Sequence, residues 1–354
     1  MTTFLDLIKD TDFLNYVEKR LNSKETDKSY SLTGVIPKLY RYRSFSRYAV
    51  DDIINGQNTA TSIGDFNDLF DGAIQSFSTL EDRKFAAEKE WKELNEFYKT
   101  AGIHKDSMDQ DSFMQLQMKA VKRKLRQNFR LLDYLGTYVC CYSANNTSTL
   151  MWSHYANSNT GICVEYDFND SKPSELIFPV KYTRTPVDLQ DLLSDEKDSV
   201  YKYPIDAAVL CAALNKSTVW NYEEEWRSVL VPLLEHGSNK ARRIPMLAPG
   251  KPKSISFGYH FFKPLFYYNF DDSKEKESIN QRINETDRLF KYIEENNIPI
   301  SISVPSGDGF NLKPKEVSIE YLKNLFDYHF KKRSLMRIGL YHVVHDKLLD
   351  LVGY

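Results

Sequence analysis

Short segments rich in β-branched and aromatic residues are scattered along the chain among helical segments of very different lengths. Seven of them have strand character: "KLYRYRSFS", "GTYVCCYS", "GICVEYDF", "IFPVKYT", "EEWRSVLVPLL", "KSISFGYHFF" and "PISISV". They do not alternate regularly with helices, and no repeat of 20–50 residues is present. The pattern favours an α+β fold, with a small mixed or antiparallel sheet core and helical additions.

The helices are predicted from apolar residues at helical spacing. "SRYAVDDIINGQ" predicts a helix that ends at Gly56, and "YPIDAAVLCAALNKS" predicts a buried helix. A helix over residues 279–295 would connect "KSISFGYHFF" to "PISISV" in a β-α-β arrangement. The tail from Ser318 is expected to hold one amphipathic helix.

These elements suggest three parts. We expect residues 1–30 to contain an N-terminal helix and residues 31–310 to form the core. Residues 80–132 are mostly charged, with apolar residues at helical spacing, and are expected to form an inserted helical hairpin. Residues 311–354 are expected to be a C-terminal helical extension. The C-terminal part of the chain is thus expected to add α/β elements to the sheet core.

Composition argues against several classes of protein. The 354 residues carry a formal net charge of -2, so no overall charge bias indicates nucleic acid or membrane as a partner. The basic tract "KAVKRKLRQNFR" is interpreted as a solvated helix face, with polyanion contact as the alternative. No segment has the roughly 20 apolar residues of a membrane span, and the N-terminus is unlike a secretory signal. A cytoplasmic protein without a membrane partner is expected.

Several well-known catalytic motifs are absent from the sequence. It contains no Gly-x-Gly-x-x-Gly, no P-loop, no His-Glu-x-x-His and no Gly-x-Ser-x-Gly. None of the four cysteines has Cys-x-x-Cys spacing, and His342 and His345 lack a third ligand nearby in sequence. We therefore predict no metal site.

Two polar and aromatic clusters come early in the chain. In "LYRYRS", alternation places Tyr40 and Tyr42 on one face of a strand and Arg41 and Arg43 on the other. An arginine there could lie in water or bind phosphate or ribose oxygens in a cleft. In "DFNDLFD", Asn67 and Asp68 could cap a helix, hold a turn or line a site, while apolar neighbours anchor the loop.

Two further clusters come later. In "LMWSHYANSNTGICVEYD", Trp152, His154 and Tyr155 lie between two strands, and such rings often have one face in the core and one in a pocket. In "WNYEEEWRSVL", Glu223 and Glu225 are two residues apart at the start of a strand and should project from one face. Adjacent like charges there are unfavourable unless they are solvated or have a function.

Taken in order, "LYRYRS", "FNDLFD", "CYS…LMWSHYANSNTGICVEYD" and "NYEEEWRSVL" resemble a bacterial family of domains of unknown function. Its members carry LYKYR, FNDPF, MWSHYA…GIC and YExEWR motifs, and this chain departs from them at Leu69, where the family usually has proline. The motif order is in turn similar to ADP-ribosyltransferase-like folds. That resemblance implies an NAD site without a Rossmann fingerprint.

The resemblance also implies roles for individual residues. Glu225 would be catalytic with Glu223 as its companion, and Arg41 would hold the ribose or phosphate of NAD. The other expected NAD-binding residues are Tyr40, Asn67, Asp68, Ser143, Trp152, His154 and Tyr155, of which Trp152 or Tyr155 would stack on nicotinamide. In this arrangement, Arg41 and Glu225 must face one cleft.

The function implied by the resemblance is NAD-dependent transfer of ADP-ribose to a protein or nucleic acid, or hydrolysis of NAD. A toxin or phage-defence effector would fit that activity. The alternatives are a non-catalytic module that binds a nucleotide or nucleic acid, and a metal-dependent nuclease that uses the Asp and Glu clusters. The sequence leaves the acceptor and the oligomeric state open.

Overall fold

The architecture was obtained as a computed structural model, and its described part has a mixed α+β fold with a mostly antiparallel sheet and few helices. The structure describes residues 38–68, 70–75, 92, 137–168, 177–188, 212–230, 243–265, 272–307 and 309–327. The expected helix in residues 1–30 and the expected hairpin at 80–132, apart from Lys92, lie outside these ranges. So do Leu69 and both His342 and His345.

Fourteen strands are present in the described ranges. They are β1 (Leu39–Arg43), β2 (Gln57–Ser62), β3 (Ile74–Gln75), β4 (Tyr138–Ser143), β5 (Ile162–Tyr166), β6 (Ile177–Pro179), β7 (Lys181–Thr183), β8 (Val187–Asp188), β9 (Asn215–Ser217), β10 (Glu225–Leu230), β11 (Arg243–Leu247), β12 (Ser254–Phe257), β13 (Ile300–Pro305) and β14 (Leu312–Val317). Ten of them form one sheet in the order β11-β2-β4-β1-β5-β12-β13-β14, with β10 paired to β4 and β6. The main sheet is therefore larger than the small sheet that the sequence predicted. In addition, β3 pairs with β8 and β7 pairs with β9, both in parallel.

Strand β4 lies at the centre of the sheet because it has three neighbours. One edge pairs with β10 along its whole length, from Glu225 opposite Ser143 to Leu230 opposite Tyr138. The other edge is shared, since β1 pairs with its C-terminal end and β2 with its N-terminal end. The ends of β1, β4 and β10 therefore meet at one place in the sheet.

Four helices are described: α1 (Arg47–Ile54), α2 (Thr149–His154), α3 (Ser273–Glu295) and α4 (Ile319–Phe326). Ser46 caps α1 and Ser148 caps α2 through their side-chain oxygens. Asp272 caps α3 in the same way. None of these helices combines the length and the apolar character that a bilayer crossing requires.

The two faces of the sheet are covered differently. The large core cluster lies on the face that carries Leu39 and Val164, and it includes apolar residues of α1, α3 and α4. A smaller cluster on the opposite face packs Tyr42 and Cys163 against Met151 and Trp152 of α2. This smaller cluster supports the segment that follows α2.

A left-handed turn follows α2 and explains the sequence "ANSNTG". Asn157, Ser158 and Asn159 have φ values of 49°, 55° and 65°, a region that asparagine tolerates better than most residues. A Cβ atom at Gly161 would lie 2.2 Å from the carbonyl oxygen of Arg43, so only glycine lets β1 approach this closely.

Several sequence predictions are confirmed. The helix ending near Gly56 is α1, and Gly56 has a φ of 63°. The β-α-β unit is β12, α3 and β13, with β12 and β13 parallel. The amphipathic tail helix is α4.

Other predictions are wrong in detail. The segment "IFPVKYT" forms two strands, β6 and β7, instead of one, because the chain changes its partner within it. The N–H of Val180 still bonds the carbonyl of Glu225 in β10, whereas the N–H of Lys181 bonds the carbonyl of Leu214, and β7 then pairs with β9. The predicted helix "YPIDAAVLCAALNKS" ends in the strand β9, and its residues before Ala212 lie outside the described ranges. Strand β14 was not predicted, and it pairs with β13 in the main sheet.

Candidate functional site

The start of β10 meets the end of β4 and the start of β1. Glu225 lies opposite Ser143, and Ser143 lies opposite Tyr40, so these three residues share one face of the sheet. This is the face on which α2 packs. The side chains that surround Glu225 here form the candidate site.

Lys216 is at the centre of a buried group of charges. Its ammonium is 2.9 Å from Glu225 Oε2 and 3.6 Å from Asp71 Oδ2, and it also donates to Glu223 Oε2. Lys216 has only 5% of its side chain exposed, and Glu223 has 2%. Burial of this ammonium is tolerated because three carboxylates surround it.

Arg227 holds the other side of the cluster. Its guanidinium donates to both oxygens of Asp71, each at 2.6 Å, and to Glu225 Oε1 and Oε2 at 2.9 and 3.0 Å. It also lies 5.5 Å from the ring of Phe66, which anchors the loop before Asp71. The fork of Arg227 therefore fixes Asp71 and Glu225 in one geometry. We call Asp71, Lys216, Glu223, Glu225 and Arg227 the charge cluster.

The backbone before β10 explains how Glu223 reaches Lys216. Glu223 ends a 3₁₀ turn over Thr218–Glu223 and is not in the strand, contrary to the prediction. Glu224 then adopts a left-handed conformation with a φ of 44°. This turn brings the side chain of Glu223 back beside that of Glu225, so both carboxylates face Lys216. The sequence predicted that the two carboxylates would lie on one side, but this turn brings them together, not strand alternation.

Aromatic side chains form the outer part of the site. The hydroxyl of Tyr155 donates to Glu223 Oε1 at 2.5 Å and accepts a hydrogen bond from the side chain of Asn67. His154 Nδ1 is 3.0 Å from the hydroxyl of Tyr222, and the ring of Trp220 is 5.2 Å from the ammonium of Lys216. His154 and Asn67 are exposed, and the other three are partly exposed. We call these five residues the rim.

The two glutamates have opposite pKa shifts. Burial, and then the neighbouring charge of Glu225, raises the pKa of Glu223 to about 7. Burial also disfavours the ionised form of Glu225, but Arg227 and Lys216 outweigh it and hold the pKa of Glu225 well below its usual range. Although Lys216 contacts both carboxylates, only Glu225 has a second cation. Such a pair has one carboxylate fixed as an anion and one able to exchange a proton near neutral pH.

Three of the predicted site residues have mainly supporting contacts. The hydroxyl of Ser143 is buried and donates to the carbonyl of Glu223 at 2.6 Å, which holds the 3₁₀ turn in place. Tyr40 packs against the small core cluster near Trp152. Asp68 Oδ1 accepts from the backbone N–H of Phe70 at 2.9 Å and so stabilises the loop.

Trp152 does not line the site, which corrects the prediction. Its side chain is fully buried, packs edge-to-face on Tyr42 at 5.2 Å and donates to the carbonyl of Asn146 at 3.2 Å. Neither face of the Trp152 ring is therefore exposed to a ligand. Of the two rings expected to stack on a ligand, only Tyr155 reaches the rim.

Arg41 and Glu225 point to opposite faces of the sheet, so the expectation that they share one cleft is wrong. Tyr40 pairs with Ser143, so the next residue, Arg41, projects from the other face of the sheet. That face also carries Tyr142 and Trp226. Its guanidinium donates to Cys140 Sγ and, at 2.5 Å, to the carbonyl of Thr59. Alternation along β1 was predicted correctly, but it places the arginines away from the glutamates.

Sequence reasoning missed five residues of the site: Asp71, Lys216, Trp220, Tyr222 and Arg227. Three of them lie within "WNYEEEWR", where site roles were assigned to the glutamates alone. The unfavourable pairing of Glu223 with Glu225 was a usable signal, since two buried carboxylates require nearby cations. Lys216 and Arg227 flank them in sequence and were the obvious candidates.

No group of three or more His, Cys, Asp and Glu side chains in the described residues could hold a metal ion. The three carboxylates that converge in the charge cluster are already bridged by Lys216 and Arg227.

Comparison with known proteins gives a match to a protein family. Residues 151–228 match a family described as "Protein of unknown function (DUF2971)". The match begins in α2 and ends in β10, so it includes Tyr155, Lys216, Glu223, Glu225 and Arg227 but not Asp71. Neither a curated protein nor a solved structure matches the chain.

Proposed function

We propose that this chain is an NAD-dependent enzyme of the ADP-ribosyltransferase-like type. It would cleave the bond between nicotinamide and ribose and transfer ADP-ribose to a macromolecule or to water. The observation that carries the proposal is the pair Glu223 and Glu225, which share Lys216 beneath a partly exposed aromatic rim. A role as a toxin or phage-defence effector is part of the same proposal.

The charge balance of the cluster supports this chemistry. Three carboxylates face two cations, so the cluster carries one negative charge in excess when Glu223 is ionised. Cleavage of a nicotinamide–ribose bond builds positive charge on the ribose, and a fixed negative charge nearby stabilises it. Because Arg227 does not contact Glu223, the excess charge belongs to Glu223, the carboxylate that also contacts the rim.

The rim supports recognition of a planar ring. Tyr155, Trp220 and Tyr222 are partly exposed, and large rings with one free face stack on heteroaromatic groups. Asn67 is exposed beside Tyr155 and could bond an amide such as that of nicotinamide. Arg41 is not included in the proposed NAD site, since it lies on the other face of the sheet.

The test is to incubate the protein with NAD labelled in the adenine and to measure nicotinamide release and label transfer. Single-stranded DNA, RNA and a protein mixture serve as acceptors. Wild type is compared with Glu223→Gln, which keeps the size of the side chain and an oxygen that can accept from Tyr155 or Lys216. We expect NAD consumption in wild type and a loss of about 100-fold or more in the variant.

Three outcomes would overturn the proposal. Wild type that neither binds nor consumes NAD would remove it entirely. Wild type that binds NAD without consuming it would instead be the non-catalytic nucleotide-binding module. Cutting of nucleic acid that depends on Mg²⁺ and not on NAD would favour the nuclease.

A further inference from the structure

The carboxylate of Glu223 is enclosed by its partners. Oε1 accepts from the hydroxyl of Tyr155 at 2.5 Å, Oε2 accepts from Lys216, and only 2% of the side chain is exposed. A substrate that enters from the rim therefore meets Tyr155 before it meets Glu223.

The hydroxyl of Tyr155 lies between the buried carboxylate of Glu223 and the exposed side chain of Asn67. Tyr155 is the C-cap of α2 and is partly exposed, while Glu223 behind it is buried. On its outer side the hydroxyl accepts a hydrogen bond from Asn67, which is exposed. The oxygen of Tyr155 can therefore accept one hydrogen bond from the rim while it donates another to Glu223.

We propose that Tyr155 relays a proton between the attacking nucleophile and Glu223, a role that rests on the proposed function. The O–H of water, or of an acceptor hydroxyl, lies where Asn67 now donates. As its oxygen forms the bond to the ribose carbon, its proton moves to the oxygen of Tyr155. The proton of Tyr155 moves at the same time to Glu223 Oε1, and nicotinamide leaves as a neutral molecule with the electrons of the broken bond.

The surrounding charges are consistent with this relay. Burial, and then the charge of Glu223, raises the pKa of Tyr155, so a free tyrosinate does not accumulate and the two transfers are concerted. The pKa of Glu223 near 7 lets it accept the proton and release it again in each turnover. The titratable groups near this pair, from all the elements packed there, are Asp71, His154, Tyr182, Lys216, Tyr222, Glu225 and Arg227.

The first test is Tyr155→Phe, which removes the hydroxyl and keeps the ring. We expect nicotinamide release to fall about 100-fold or more, while the Kd for NAD changes only a few-fold. In wild type the rate should rise with pH through about 7, as Glu223 ionises, and in the variant this rise should be reduced to the part that comes from the negative charge of Glu223 alone. The matched control is Tyr42→Phe, because the Tyr42 hydroxyl is also buried beside α2 and donates to the carbonyl of Asn145, without contact to the charge cluster.

The second test uses wild type alone and does not depend on a folded variant. The rate of NAD hydrolysis is measured in mixtures of H₂O and D₂O. Two protons moving together give a curved dependence on the deuterium fraction, whereas a linear dependence or no isotope effect would overturn the relay. Full activity with an unchanged pH profile in Tyr155→Phe would also overturn it and would leave the proposed function intact, while inert wild type would overturn both.

Discussion

Glu223 and Glu225 contact the same ammonium group of Lys216, but only Glu225 is also bound by Arg227. The two carboxylates are two residues apart in sequence, and the left-handed conformation of Glu224 between them turns their side chains toward one cation. This difference in partners separates their pKa values and distinguishes their proposed roles.

Replacement of Lys216 by methionine should strongly destabilise the fold. Methionine fills a similar volume but leaves three buried carboxylates with Arg227 as their only cation. Loss of one partner of a buried ion pair costs about 3–5 kcal/mol. Urea unfolding measures the change.

The matched control is Lys323→Met, which breaks an ion pair with Glu294 where both side chains are substantially exposed. Such pairs contribute about 0–1 kcal/mol. Equal losses for the two variants would show that the ion pairs of Lys216 add nothing beyond those of a surface pair.

Replacement of Arg227 by lysine should destabilise the protein although the charge is kept. A lysine ammonium cannot make the paired bonds to Asp71 and Glu225, so at least two buried carboxylate oxygens lose their donors. We expect a loss of about 2 kcal/mol or more in urea unfolding. Arg288→Lys, in which the pairs with Asp51 and Glu285 are closer to solvent, is the control and should change stability by less than about 1 kcal/mol.

Protein stability should depend on pH through Glu223. The pKa of Glu223 is raised to about 7 in the folded state, so between its unfolded value and 7 the folded protein binds more protons than the unfolded one. Stability attributable to this group is therefore highest in the acidic part of that range and is lost as the pH rises through 7. Glu225 acts in the opposite sense, since its lowered pKa contributes stability that is lost only in strong acid.

The measurement is the melting temperature of wild type and Glu223→Gln between pH 5 and pH 8. The melting temperature of the variant relative to wild type should rise across this interval, because glutamine does not ionise. A constant difference between the two proteins would contradict a raised pKa for Glu223.

The sequence was most informative where local chemistry decides structure. Alternation in "LYRYRS" correctly separated the tyrosines from the arginines, and the left-handed conformations of Asn157 and Asn159 agree with the preference of asparagine. It could not show which face of β1 would carry α2, because that depends on the pairing of β1 with β4, about 100 residues later in the chain. Arg41 was therefore assigned to the wrong face, and Asp71 was missed because its partner Arg227 comes from a distant strand.

Replacement of Gly161 by alanine should destabilise the segment that presents Tyr155. A Cβ atom would lie 2.2 Å from the carbonyl oxygen of Arg43, and this atom belongs to a strand that cannot move away independently. Overpacking of this kind costs about 1–3 kcal/mol. Gly309→Ala is the control, since a Cβ atom there meets nothing within 4 Å, and it should change stability by no more than about 0.5 kcal/mol.

Replacement of Arg41 by methionine tests whether this residue binds NAD, as first expected from the sequence, or only stabilises the fold. Arg41 bonds Cys140 and the carbonyl of Thr59 on the face opposite the charge cluster, so its loss should lower stability without changing NAD affinity. A ligand of the NAD phosphates would behave differently, because its removal would raise the Kd for NAD. The measurement is NAD binding by calorimetry on protein shown to be folded by circular dichroism. A rise in Kd of tenfold or more, corresponding to about 1.4 kcal/mol, would mean that NAD contacts the other face of the sheet.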